Sequence, residues 1–374
     1  MRIRARHYVT GQLVDVAVAD GIIQSIGPPT PTPADRQAGW IAPALFDLQI
    51  NGADGRSFNS GRLTHDEIRH VVDVCRRHGI GALCPTLITA SRENFVQGLS
   101  AIRAACAADR DLDRAIPAIH VEGPYISADD GPRGAHPRSQ VRPPDWDEFQ
   151  RFQEAAGGRI RLLTLAPETA GALPFIEKVV QSGVVVSLGH TAASPGVIRD
   201  AIRAGARLST HLGNGSHALL PRHENYFLEQ LATDELWASI ICDGHHLPAS
   251  LVRCIVRVKS PSRLILTCDA SPLAGMPPGR YQDWEQEFEV LATGKIVVPG
   301  TPYLAGSGAF TDLCVGNVMR FAQGSLAEAI DMASAQPRAL LGLPSRRLQV
   351  GHPAEVMLFD WEPGGDIKVS GVMA

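Results

Sequence analysis

Long apolar runs are missing. No stretch of the 374-residue chain approaches the roughly 18 consecutive apolar residues of a membrane-spanning helix, and the opening Met-Arg-Ile-Arg-Ala-Arg lacks the apolar centre of an export signal. The chain is therefore expected to be neither membrane-bound nor exported. Paired cysteines are missing too: the seven present are odd in number and scattered, with no Cys-x-x-Cys. That pattern predicts reduced, buried thiols and a cytoplasmic location. Net charge is −4 and no basic stripe is available to neutralise phosphates, so a nucleic-acid partner is not expected. Neither an internal repeat nor a low-complexity segment interrupts the pattern.

What is present is a chain of ordinary globular composition, 44% hydrophobic and 20% charged. From about residue 46 short apolar runs alternate with amphipathic stretches in eight pairs, the signature of a parallel sheet with helices outside it. The strand candidates are Leu45 to Ile50, Ala82 to Thr86, Ala115 to Val121, Arg161 to Ala166, Val184 to Leu188, Arg207 to His211, Ala238 to Cys242 and Leu264 to Cys268. Thr64-His-Asp-Glu67 and Ser325-Leu-Ala-Glu328 read as capping boxes, and Ser194-Pro195 as a cap followed by proline at the first helical position. Ile68, Val71, Val72 and Cys75 form the helical stripe that would pack on the barrel. Residues 276 to 305 break the alternation and read as a hairpin excursion. Val14–Val18 and Ile22–Ile26, separated by Asp20-Gly21, read as a hairpin, and Glu355–Asp360 as a similar strand. The expected fold class is α/β: a (β/α)₈ TIM-like barrel over 45–344, with a small β-sandwich built from residues 1–44 and 345–374.

Three separated segments place a potential metal ligand at the end of an apolar run: His120-Val-Glu122-Gly-Pro-Tyr125, Leu188-Gly-His190-Thr191 and Ser209-Thr210-His211-Leu212. Leu266-Thr-Cys-Asp269-Ala270 follows with a further carboxylate. A barrel gathers the C-terminal ends of its strands on one face, however far apart they lie in sequence. Glu122, His190 and His211 would then hold one divalent cation and keep a fourth position for water, whose pKa falls to about 7. Asp269 would exchange the protons. Taken singly, each residue has a plainer explanation. A strand-end histidine serves as a core hydrogen-bonding group, Glu122 as an arginine's partner and Asp269 as a cap. The joint placement of all four at corresponding strand ends favours the metal.

Further pieces extend the pattern: Phe46-Asp-Leu-Gln49-Ile-Asn51-Gly52, Gly134-Ala-His136-Pro137, Thr164-Leu-Ala-Pro-Glu168, Thr210-His211-Leu-Gly-Asn214 and Asp243-Gly-His-His246. In these the chain resembles the amidohydrolase superfamily, and within it the N-acetylglucosamine-6-phosphate deacetylases, over nearly its whole length. The resemblance implies hydrolysis of an N-acetyl amide on a small-molecule amino sugar. It makes Glu122, His190 and His211 the ligands of zinc, with iron, cobalt or manganese as alternatives, and Asp269 the catalytic acid and base. It also implies that His136 and His246 contact the sugar or acyl carbonyl, and that backbone amides around Asn214 and Gly215 approach a phosphate. Arg222 would reach that phosphate across a homodimer interface, a task suited to its fork of donors. Gln49-Ile-Asn51 stands where most of the superfamily has His-x-His. Amides are poor transition-metal ligands, so one metal is expected. Gln49 and Asn51 either line the substrate pocket or bond the backbone. The loop after His211 departs from the family at Gly213, Ser216-His217-Ala-Leu-Leu-Pro and His223-Glu-Asn-Tyr226. That leaves open a different N-acyl amino sugar, an N-acyl amino acid, a cyclic amide, or a barrel acting only as a scaffold.

Overall fold

In the computed structural model, which describes residues 1–283, 286–301 and 303–373, eight parallel strands run in sequence order round one sheet. They are Leu45–Ile50, Ile80–Ile88, Ile119–Glu122, Ile160–Leu165, Val185–Leu188, Leu208–Ser209, Trp237–Ile241 and Leu264–Thr267. Every residue of the first two is buried, as expected of strands covered by helices outside and side chains inside. The ring closes where Ile50 bridges Ala270 in parallel and the Asn51 amide donates to the Ala270 carbonyl at 2.9 Å. Asp47 staples the closure. Its carboxylate accepts from the Gln49 amide at 2.8 Å, the Thr267 hydroxyl at 2.5 Å, the Cys268 amide at 2.9 Å and the Thr311 hydroxyl at 2.5 Å. Burial pushes the Asp47 carboxyl upward, and these four donors oppose that cost.

Local signals in the sequence are realised. Thr64 and Ser325 form reciprocal capping boxes with Glu67 and Glu328, and Ser194 caps a helix that opens on Pro195. Ile68, Val71, Val72 and Cys75 are buried. The expected strand from Ala115 to Val121 needs correction: Arg110–Ala115 is a helix, and the strand begins at Ile119. The Asp109 side chain accepts from the amides of Asp111 and Leu112, which starts a helix whose Leu112 and Ala115 are buried. The sixth strand is also shorter than expected. Its ladder stops at Ser209, because the backbone at His211 turns to a φ of 31°.

Inside the barrel, hydroxyls and one imidazole form a directed chain. His120 Nδ1–H donates to the Leu48 carbonyl at 3.1 Å, leaving Nε2 to accept from the Thr164 hydroxyl at 2.8 Å. Thr164 then accepts from Thr210 at 2.7 Å, and Thr210 from Ser187 at 2.5 Å. Burial lowers the His120 pKa to about 4, so the ring is neutral.

The two ends of the chain build the expected second unit as one continuous six-stranded sheet. Its order is Lys368–Met373, Val356–Asp360, Arg36–Pro43, Arg2–His7, Leu13–Ala19, Ile22–Gly27. Asp20 and Gly21 take φ values of 52° and 71°, the left-handed pair that a two-residue hairpin requires. The sheet curls: the Ile23 amide donates to His352 and the Ala354 amide to Gly21, around a core that includes Ile3, Val16, Ile23, Val356 and Leu358. Residue 374 of the expected terminal unit lies outside the described residues. The excursion after the eighth strand is an antiparallel trio, Gly279–Asp283, Gln286–Val290 and Ile296–Val297; residues 284, 285 and 302 of that stretch are outside the described set. No helix among the described residues is long and apolar enough to cross a membrane.

Candidate metal centre and active site

Glu122 is the last residue of the third strand, while His190, His211 and Asp269 each stand two residues beyond the fifth, sixth and eighth. These last three have φ values of 51°, 31° and 52°, in the left-handed region that non-glycine residues enter at a cost of about 1–3 kcal/mol. At three strand ends the backbone is thus held in an unfavourable state that turns a functional side chain into the mouth. Gly123 meets a related demand. Its φ is 85°, and a Cβ there would lie 2.2 Å from the Thr89 hydroxyl oxygen.

The three predicted ligands converge. Glu122 Oε1 lies 3.2 Å from His190 Nε2 and 3.1 Å from His211 Nε2, and the two Nε2 atoms are 3.1 Å apart. Ligands about 2.0–2.1 Å from a cation at tetrahedral angles stand roughly 3.3 Å from one another, so the trio is spaced for one ion. Their chemistry agrees. His190 Nδ1–H donates to the Pro132 carbonyl at 2.8 Å, which leaves a bare lone pair on Nε2. Burial opposes charge on Glu122, but the two imidazoles beside it, His190 and His211, hold its carboxyl well below the usual range. A carboxylate oxygen and two imidazole nitrogens converging at these distances suit a divalent cation, which would take the place of any proton between them. Glu122, His136 and His190 also bring one ligand atom each within 4.8 Å of one another. That looser grouping places His136 beside the same position, where His211 Nε2 comes closer, 3.1 Å from both Glu122 Oε1 and His190 Nε2.

Gln49 and Asn51 part ways. Gln49 is not on the cavity wall, a correction to its expected substrate contact. Its Nε2 donates to both Glu122 oxygens, at 2.9 and 3.0 Å, beneath the metal position. Asn51 does line the cavity, and its Nδ2 donates to Asp269 Oδ1 at 2.7 Å. Burial, then the nearby Glu122 carboxylate, push Asp269 up to about 8.

A cavity of about 290 Å³ opens above the trio and is lined by Glu122, His190, His211, Asp269, Asn51, His136, Asn214, Gly215 and His246. His136 is held by the Thr89 hydroxyl at 2.8 Å, and His246 Nδ1 by Asp243 Oδ2 at 2.7 Å. Asp243 also accepts from the His245 and His246 amides and from the Ser307 hydroxyl. Gly215 packs so tightly that a Cβ would lie 2.9 Å from His190 Nδ1. Arg222 is exposed and stands apart from this wall. Sequence reading missed His217 and Tyr303, which also line the cavity. His217 lies in the divergent loop and Tyr303 in the excursion, segments with no strand-end position to mark them.

No family model matches the chain. It is 34% identical over 335 residues to the N-acetylglucosamine-6-phosphate deacetylase of Bos taurus, covering 86% of this chain and 79% of that protein. It is 32% identical over 369 residues to the N-acetylgalactosamine-6-phosphate deacetylase of Escherichia coli O157:H7, covering 96% and 94%. Its fold is similar to that of a mutant N-acetyl-D-glucosamine-6-phosphate deacetylase from Mycobacterium smegmatis solved with N-acetyl-D-glucosamine 6-phosphate: TM-score 0.90, 30% identity, 100% of this chain and 97% of that one. The left-handed strand ends, the three-ligand cluster and these likenesses along the chain agree, and the protein belongs to the N-acetylglucosamine-6-phosphate deacetylase family of the metal-dependent amidohydrolase superfamily.

Proposed function

We propose that this enzyme hydrolyses the acetamide of N-acetylglucosamine 6-phosphate to glucosamine 6-phosphate and acetate. The observation that carries the reading is the approach of Glu122 Oε1, His190 Nε2 and His211 Nε2 to within 3.2 Å of one another, on the wall of a cavity that also holds Asp269. Those three residues would hold zinc. When bound, a divalent cation polarises the acyl carbonyl and lowers the pKa of water toward neutrality.

The protein's own groups supply the rest. Asp269 takes a proton from the water that adds to the acyl carbon, then delivers it to the nitrogen as the carbon–nitrogen bond breaks. A positioned group of this kind contributes roughly 10²- to 10⁴-fold. The charge of a cation beside Asp269 would draw its raised pKa down, so that the carboxylate form is present at neutral pH. Asn51 orients Asp269, and His136, braced by Thr89, would face the acyl oxygen. Asp243 fixes His246, leaving its Nε2 for a sugar hydroxyl.

The finer assignments rest on separate supports. Seven free cysteines, all but Cys254 buried, support a reducing cytoplasmic compartment. Leu219, 90% exposed, and exposed Arg222 share the loop after His211, which supports that loop as the contact of a homodimer in which Arg222 reaches the neighbouring site. Because one relative is named for the galactosamine epimer, the decisive assay compares acetate release from N-acetylglucosamine 6-phosphate, N-acetylgalactosamine 6-phosphate and unphosphorylated N-acetylglucosamine by zinc-loaded enzyme. No acetate from either phosphosugar would overturn the proposal. Asp269→Asn is expected to retain metal and lose roughly 10²- to 10⁴-fold in kcat; near-normal turnover would remove Asp269 from the proton transfers.

A further inference from the structure

The loop after His211 is fixed at its return by the start of helix Tyr226–Ala232. Asn225 caps that helix, accepting from the Leu228 amide at 2.9 Å, and its Nδ2 donates to the Pro221 carbonyl at 2.9 Å. Tyr226, the next residue, is buried, and its hydroxyl points back into the loop. There it accepts from the His217 backbone amide at 2.8 Å and lies 3.0 Å from His217 Nδ1. A phenol has one proton to give. The oxygen accepts from the amide and also neighbours the Ser216 side chain, and giving that proton to Nδ1 completes the Tyr226–His217 pair. Burial raises the Tyr226 pKa, which keeps the proton in place. With the phenol proton on Nδ1, the His217 ring is the tautomer whose Nε2 carries the hydrogen, and His217 lines the cavity.

The same wall is rich in donors. Among the described residues, the backbone N–H groups of Gly215 and Ser216 have no hydrogen-bond partner within the chain. Gly131, from the loop that carries the Pro132 carbonyl bonded to His190, packs against His217, where a Cβ would lie 3.1 Å from its Cα. The cavity thus joins two unlike parts: the cluster of Glu122, His190, His211 and Asp269, and a loop that offers the Gly215 and Ser216 N–H groups beside His217.

We infer that His217, held by Tyr226 as an Nε2–H donor, is a specificity-determining residue that binds an anionic group carried by the substrate away from the scissile amide. This rests on the deacetylase reading, in which that anion is the sugar phosphate. The arrangement is a property of this chain's own loop, Ser216-His217-Ala-Leu-Leu-Pro closed by Tyr226. Tyr226 acts through His217 and is a positioning residue.

The test compares wild type with His217→Leu, His217→Gln and Tyr226→Phe as zinc-loaded enzymes. His217→Leu should lower kcat/KM for the phosphorylated sugar roughly 10- to 100-fold, mainly through KM, the size expected when a hydrogen bond to a charged group is lost. Its kcat/KM for unphosphorylated N-acetylglucosamine should stay within about twofold of wild type. His217→Gln, which keeps an N–H at the end of its side chain, should recover part of the loss, and Tyr226→Phe should reproduce it in weaker form. Equal losses on both sugars, or an unchanged kcat/KM for the phosphosugar in His217→Leu, would overturn the inference. Calorimetric binding of glucose 6-phosphate, which has no acyl group, separates this inference from the catalytic reading. Weaker binding to His217→Leu than to wild type supports the role of His217 even if neither acetylated sugar is hydrolysed; no difference in binding overturns it.

Discussion

Replacing Gln49 by leucine isolates the support behind the proposed metal position from the proposed ligands Glu122, His190 and His211 themselves. Gln49 Nε2 lies 2.9 and 3.0 Å from the two oxygens of buried Glu122, so one amide N–H is shared across a carboxylate that is only 2% exposed. A hydrogen bond to a charged acceptor contributes about 1.5–3 kcal/mol. Loss of a group that orients a metal ligand typically costs about 10- to 100-fold in affinity, or about 1.4–2.7 kcal/mol, so two independent routes agree. Leucine nearly matches glutamine in volume, which keeps the cavity contribution small. The expected result is zinc affinity weaker by 10- to 100-fold in competition with a chromophoric chelator, and kcat recovering to within about threefold of wild type at saturating zinc. Affinity within twofold of wild type would refute the orienting role. A deficit in kcat that saturating zinc does not repair would refute the claim that Gln49 acts through the metal site.

Glu122→Gln and His211→Ala should each lose bound metal and activity together while far-ultraviolet circular dichroism is preserved; a variant retaining one equivalent of zinc excludes its residue as a ligand. His120 gives an acid-side prediction. Its folded pKa of about 4 lies below the ordinary 6.5, so the unfolded chain takes up the proton first. Its contribution is complete above pH 6.5 and is lost as the pH falls toward 4, by roughly 1.4 kcal/mol per pH unit. Urea midpoints of metal-free protein should therefore fall between pH 7 and pH 5, and fall less in His120→Asn; parallel curves would remove His120 as the cause. Asp47→Asn should cost about 1–3 kcal/mol by urea unfolding, because an amide cannot accept from all four donors; an unchanged midpoint would show that Asp47 does not hold the ring closed.

The barrel was legible because its strands are apolar runs separated by capped helices, and a capping box such as Thr64 with Glu67 is a purely local signal. The convergence of Glu122, His190 and His211 was legible because barrel geometry turns strand-end positions into neighbours. The segment from Ala115 to Val121 was misread because an apolar stretch does not reveal that Asp109 caps a helix immediately before it. Gln49 was misplaced by a subtler effect. Periodicity puts Gln49 and Asn51 on one face of the strand, and only the tertiary arrangement decides that one meets Glu122 from below while the other meets Asp269 at the cavity. The contact that holds His217 was invisible because it comes from the Tyr226 hydroxyl, nine residues later and in a different element.

The sheet shared by both ends of the chain constrains biogenesis. Arg36–Pro43 finds its neighbour on one side in Arg2–His7 at once, but on the other side only when Val356–Asp360 emerges from the ribosome. Through most of translation that flank is an open β-edge, competent to pair with any other nascent strand. A stop codon that removes Val356–Asp360 would make this exposure permanent while leaving Glu122, His190, His211 and Asp269 in the polypeptide, so such a truncation is expected to fail by aggregation rather than by lost site residues.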